Sequence, residues 1–279
     1  MLQGIKWILT HDGVFHADEV IAVALLRVQG WNCEVVRTRD KEVLSQAFLD
    51  PEALVLDQGG EYNIDMLNLD HHQDASLPSA AGLVWRHFNA YILSDLAKSY
   101  FDEFISGIDK WDTNRDGWHT GWPKEFRNLS HIIAGFNRDP FNSVIQDMQF
   151  EKAVKFAIVV VENEKNSALL KARAEVDYAA HVVINGVAIF SQFSPIWRES
   201  QFSPIWRESQ FSPIWREKGE YEFAVMPHPS GWQVVAANIV NKVIPETAKD
   251  FEGFIFRHNT GFMATFDTLE NVTKFIETI

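Results

Sequence analysis

Residues 8 to 20 read ILTHDGVFHADEV, and two histidines and three acids, His11, Asp12, His16, Asp18 and Glu19, crowd into nine of them. Three more apolar runs end the same way. ALVLD stops at Asp57, MLNLDHH at Asp70-His71-His72, and the helix-like LAKSYFDEFISGID at Asp109. Each alone is ordinary. An Asp after a strand is usually a turn residue or a cap, and Asp18 and Glu19 could simply offset a helix dipole. Three His and three Asp from four chain segments, however, are more than loop solvation explains. Cys33 is the sole cysteine, so thiolate zinc sites and iron–sulfur clusters are excluded. Mixed imidazole and carboxylate ligands suit Mn²⁺, Zn²⁺, Co²⁺ or Fe²⁺, whereas pure oxygen sets suit Mg²⁺ better. Six ligands exceed the needs of one tetrahedral ion and suit a pair. Two ions about 3.5–4 Å apart are a device for hydrolysing phosphate esters.

Elements must bring these residues together. IKWIL (5–9), CEVVRT (33–38), ALVLD (53–57) and MLNLD (66–70) read as strands. Between and after them, ADEVIAVALLRVQG (17–30), KEVLSQAF, SAAGLVWRHFNAYI (79–92) and LAKSYFDEFISGID (96–109) read as helices. This alternation predicts an α/β fold, a parallel sheet with helices on both faces. All strand C-termini of such a sheet share one edge, where ligands bind, so the four clusters would converge there. Within the opening stretch, Asp12 is read as shaping the turn with Gly13. Glu19 is read as a first-turn acid behind the ligands.

Residues 111–146 look irregular, and a long helical pattern covers 150–180. Strand-like HVVINGVAIF, YEFAVMPHPSGWQVVAANIV and FIFRHNTGFMATF follow, then a closing helix at TLENVTKFIETI. The expected organisation is a first domain over 1–147, a connecting helix over 148–180 and a smaller mixed α+β domain over 181–279. One segment stands apart. SQFSPIWRE occurs three times without change, at 191–199, 200–208 and 209–217. Natural repeats drift and are longer, so recent duplication or engineered insertion into a tolerant loop is the expectation, with no catalytic role.

The bulk numbers are those of a globular chain: 279 residues, 46% hydrophobic, 23% charged. No apolar run approaches membrane-spanning length, and the N-terminus lacks the features of a signal peptide. A cytoplasmic protein that meets no membrane is expected. The net charge of −13 disfavours broad, nonspecific duplex binding, although bound cations would reverse the sign locally.

With LDHH downstream of H-x4-H-x-D and of a strand-terminal Asp, the chain resembles the DHH phosphoesterase superfamily. The fuller strings THDGVFHADE, RTRD, LDQGGEYN, LDHHQ and SAAGLVW resemble one branch of it, the Myg-one family, often labelled a metal-dependent protein hydrolase. GIDKWDTN, the FEKAV helix, a PIWRE-like turn and FRHNTGF extend the resemblance through most of the chain. It implies a DHH-type parallel-sheet N-terminal domain. It implies that His11 and His16 hold one metal, Asp18 binds the second, Asp57 bridges the two, and His71 and Asp109 complete the second site. His72 would face the substrate phosphate and Asp70 would orient a neighbouring histidine. In RHNTGFMATF, Arg257, His258 and Gly261 would contact substrate, though Ala264 and Thr265 stand where further glycines are expected. The implied cofactor is a pair of divalent ions, Mn²⁺ first, with Mg²⁺, Co²⁺ or Zn²⁺ as alternatives. The implied reaction is phosphodiester hydrolysis, 3′-to-5′ trimming of short RNA or DNA by a chain that could form a homodimer. Two rival readings stay open: a small-molecule phosphatase or pyrophosphatase, and a noncatalytic interaction protein stabilised by metal.

Overall fold

The computed structural model describes residues 4–89, 93–113, 127–191, 218–238 and 242–279. They fall into two compact units, Met1–Asn166 and Ser167–Ile279.

The first unit is built on a five-stranded sheet of β1 (Trp7–Thr10), β2 (Glu34–Arg37), β3 (Ala53–Leu56), β4 (Tyr62–Asn63) and β5 (Asn68–Leu69), in the order β2-β1-β3-β5-β4. Every pair is parallel except β4 with β5. Central strands of a parallel sheet are covered on both faces and read as unbroken apolar runs, which explains ALVL in β3, buried throughout. Leu9, Ala53 and Val55 pack against Val43, Leu44, Ala47 and Phe48 of helix α2 (Lys41–Leu49). Ile8, Leu54 and Leu56 alternate with them, so they point to the opposite face, and all three are fully buried. Helix α1 (Ala17–Val28) is buried without interruption from Ala17 to Leu26, including two acids. It packs on α3 (Ala80–Phe88) and α4 (Asp95–Thr113).

Three element expectations are corrected. The MLNLD strand shrinks to Asn68–Leu69, because Ile64–Met66 close a single 3₁₀ turn and Leu67 takes a left-handed φ of 53°. The helix expected to stop at Asp109 runs on to Thr113. The stretch 111–146 contains the short helix α5 (Leu129–Ala134) and the start of α6 (Ser143–Ala179), while 114–126 lie outside the described residues.

The second unit holds a mixed six-stranded sheet of β6 (Val182–Ile184), β7 (Val187–Ile189), β8 (Phe223–His228), β9 (Gly231–Ala236), β10 (Phe254–Arg257) and β11 (Met263–Phe266). Their order is β10-β11-β9-β8-β7-β6, antiparallel except where β7 meets β8. Asn185 and Gly186, at φ 50° and 77°, join β6 to β7, the residue pair a two-residue hairpin with positive φ demands. The core gathers Val225, Val234, Phe266 and Phe275, the last from helix α7 (Leu269–Ile276). Apart from Ser191, the triplicate repeat lies outside the described residues.

Candidate metal centre

Three strand ends, one helix start and one helix end of the first unit supply the polar cluster. His11 follows β1, and Gly13, at φ 76°, turns the chain toward α1. The His16 backbone N–H donates to Glu19 Oε1 at 2.9 Å and ties off the first turn of that helix. Asp57 follows β3 and Asp70-His71-His72 follows β5. Asp112 comes from the last turn of α4.

His11 Nε2 lies 3.2 Å from Asp57 Oδ2 and 3.3 Å from Glu19 Oε1. His71 Nε2 lies 3.1 Å from Asp57 Oδ1, 3.3 Å from Asp112 Oδ2 and 3.8 Å from Asp18 Oδ2. Asp57 therefore touches both imidazoles with different oxygens. Its backbone is in the left-handed region, φ 57°, a conformation that costs a non-glycine residue energy and concentrates at functional sites. His11 Nδ1 is 2.9 Å from the Asp12 carbonyl. A carbonyl only accepts, so this contact places a proton on Nδ1 and aims Nε2 inward. His16 is exposed, its ring 6.0 Å from that of His11.

Charge balance tests whether cations fit here. Asp18, Glu19 and Asp57 are essentially buried. Both carboxylate oxygens of Asp18 and Oε2 of Glu19 lack a hydrogen-bond donor. Buried carboxylates left so are costly unless paired or bound to metal. Burial pushes the Asp18 carboxyl well above its usual range, and Asp57, Glu19 and Asp112 push it further. Burial likewise raises Asp112, partly offset by His71. Burial opposes the charged form of His11, but hydrogen bonds to Asp57 and Glu19 outweigh it and take the imidazole up to about 10. His71 is raised in the same way by Asp57. Asp57 itself is held below the carboxylate range, since His11 and His71 overcome its burial. Protons here do what bound cations would do, and the donor set of His11, His16, Asp18, Glu19, Asp57, His71 and Asp112 fits divalent metal. Three groupings of these ligand types lie close enough to share ions: His11, His16, Glu19 and Asp57; Asp57, His71 and His72; Asp18, His71 and Asp112.

A cleft of about 520 Å³ opens beside the cluster, lined by His16, Asp57, His71, His72, Trp111 and Asp112 among others. No Lys or Arg is among the described residues that line it. His72 is 63% exposed there. Its Nδ1 lies 2.7 Å from Oδ1 of buried Asp70, which also accepts the His72 backbone N–H, while Oδ2 accepts the Gly60 N–H at 2.6 Å.

The structure thus brings His11, His16, Asp18, Asp57, Asp70, His71 and His72 together. Asp109 is a correction. Its Oδ1 accepts the backbone N–H and hydroxyl of buried Ser79, at 3.0 and 2.6 Å, and the carboxylate fills the space above Gly82. Asp112, one helical turn on, faces His71 instead. The sequence signal for it was its three-residue offset from Asp109, which puts both acids on one side of a helix. Glu19 also stands closer to His11 than its expected supporting place. Arg257, His258 and Gly261 belong to the second unit. There Arg257 donates to the Ile244 and His258 carbonyls at 2.8 and 3.1 Å, and His258 Nδ1 lies 2.9 Å from the Thr260 hydroxyl.

A family model described as an uncharacterised protein family, UPF0160, matches residues 7–244. A mouse (Mus musculus) protein named MYG1 exonuclease is 33% identical over 187 residues, 56% of this chain and 47% of its own. The Chlamydia pneumoniae MYG1 protein is 34% identical over 156 residues, 53% of this chain and 50% of its own. The chain spans about half the length of the curated relatives it matches. Among solved structures, a pGpG-specific phosphodiesterase, PggH of Vibrio cholerae, aligns over 99% of this chain and 97% of its own at 10% identity and a TM-score of 0.34, too low to bear on the fold.

Proposed function

The chain belongs to the MYG1 exonuclease family, the uncharacterised protein family UPF0160, and from that membership we propose that it is a metal-dependent phosphodiester hydrolase of the DHH type that trims short RNA or DNA from the 3′ end. The observation that carries this reading is the fully buried Asp18, whose oxygens lack any donor while Asp57, Glu19 and Asp112 press on it. Without metal such a cluster must hold protons on its carboxylates and imidazoles, and bound cations would replace them.

His11, His16, Glu19 and Asp57 would hold one ion and Asp18, His71 and Asp112 the other, with Asp57 reaching both. Bound there, a pair of divalent ions, Mn²⁺ first, supplies Lewis acidity toward a phosphoryl oxygen and lowers the pKa of water. The chain's own contribution is orientation. Asp70 accepts from the Nδ1 side of His72, which leaves Nε2 for the cleft, where the neutral ring can take up a proton and the imidazolium can donate to a phosphate oxygen or to the leaving oxygen. Trp111 and Thr113 border the same space.

The second reading, a phosphatase or pyrophosphatase of small molecules, draws on the cleft itself, whose described lining lacks Lys and Arg to track a polynucleotide. Purified protein loaded with Mn²⁺ should hydrolyse short oligonucleotides faster than pyrophosphate or phosphomonoesters. Asp57→Asn should lower activity at least a hundredfold and reduce bound metal by elemental analysis. Absence of hydrolysis on every phosphodiester and phosphoanhydride, with metal content unchanged in Asp57→Asn, would sink the proposal.

A further inference from the structure

The turn that carries His11 and His16 is gripped from outside by side chains far away in sequence, all within the first unit. The Gly13 carbonyl accepts from Arg37 Nη2 at 2.9 Å and from Gln146 Nε2 at 3.0 Å. The Phe15 N–H donates to Asn137 Oδ1 at 3.1 Å, and the Phe15 carbonyl accepts from Asn137 Nδ2 at 2.9 Å. Gln146 Nε2 also donates to Asn137 Oδ1 at 2.7 Å, while its Oε1 accepts the Arg138 and Asp139 N–H groups. Gln146 is fully buried. The Arg37 guanidinium is packed over the rings of Phe15 and Phe150, which meet edge to face. A buried amide with every polar atom engaged fixes one geometry, because any other leaves it unsatisfied.

Resting on the metal-site reading, we propose that Gln146, with Asn137 and Arg37, is a positioning group for the metal centre: it clamps the Gly13–Phe15 backbone and so sets where His11 and His16 stand relative to Asp57. Gly13, at φ 76°, gives the turn freedom that the clamp removes. Outer groups that orient ligands typically affect metal affinity about 10–100-fold.

The test uses the 279-residue chain with Gln146→Met, of similar volume but without hydrogen bonds, and Gln146→Glu, which keeps the Oε1 acceptor and loses the Nε2 donor. Leu44→Ala, on α2, serves as a control of matched destabilisation. Hydrogen exchange of metal-free protein should rise at residues 12–17 in both Gln146 variants and not in the control. Mn²⁺ affinity by calorimetry should fall at least tenfold in both and stay unchanged in Leu44→Ala. Unchanged exchange at 12–17, or equal loss of affinity in Leu44→Ala, overturns the proposal. If the wild-type chain binds no Mn²⁺, the metal-site reading fails instead, and the exchange measurement still decides whether the clamp exists.

Discussion

Asp109 and Asp112 show how much three positions can matter. Both are acids on one helix, yet Asp109 anchors Ser79 at the start of α3 and Asp112 faces His71. Asp112→Asn should weaken Mn²⁺ binding at least tenfold with little change in the urea midpoint of metal-free protein. Asp109→Ala should do the reverse, costing about 1–3 kcal/mol by stranding the Ser79 donors while leaving Mn²⁺ affinity nearly intact. The histidines carry a pH signature. His11 is raised from 6.5 to about 10 in the folded chain, so it is protonated across neutral pH, and divalent metal must expel that proton. Loading at pH 8 should therefore release protons, read as a dependence of calorimetric heat on the buffer's ionisation enthalpy. Without metal the sign for stability runs the other way. The contribution of His11 is fully present below 6.5 and is lost as pH rises through about 10, so the thermal midpoint in chelator should fall between pH 8 and 10. At this scale the sequence was informative where ligand types stood beside strand ends, as at His11, Asp57 and His71. For Asp112 it offered only an acid three residues beyond Asp109, because three-dimensional packing decides which of two acids on a helix face meets the cluster.

At the scale of elements, the legible pieces were those whose burial writes itself into composition. ALVL and ADEVIAVALL are apolar because the one lies between two covered faces and the other is buried for ten residues. MLNLD has similar composition, yet only Asn68 and Leu69 pair, since the 3₁₀ turn and Leu67 take up the first half. The start of α6 at Ser143 is hidden in the sequence for a related reason. Val144, Ile145 and Met148 are exposed, so no polar-to-apolar alternation marks the first turns. The junction between α3 and α4 offers a prediction of its own. A Cβ on Gly82 would stand 2.4 and 2.6 Å from the Asp109 carboxylate oxygens. Gly82→Ala should therefore push the two helices apart at a cost of about 1–3 kcal/mol, seen as a lower thermal midpoint, with Asp109→Ala partly restoring it in the double variant.

For the whole molecule, the alternation of short strands and helices identified an α/β chain, and two sheets, one mostly parallel and one mixed, are present. The mixed sheet was less legible in detail because its order, with β11 between β9 and β10 and β7 parallel to β8, depends on pairings across long separations. No helix among the described residues is long and apolar enough to cross a membrane. The chain carries 38 acidic against 25 basic side chains, and the described cleft lining has no Lys or Arg. Substrate affinity should then depend weakly on salt. Raising NaCl from 50 to 200 mM should change KM for a short oligonucleotide by less than about tenfold, whereas a protein neutralising six or more phosphates loses about 10³ or more. The carboxylates packed around Asp18 also matter away from the reaction. Ions that bind the native chain and not the unfolded one add to its stability by mass action. A cell short of divalent metal would hold copies that open more often, and opened copies are what proteases clear. Depleting divalent metal should then shorten the lifetime of the protein, read as faster loss after synthesis is stopped.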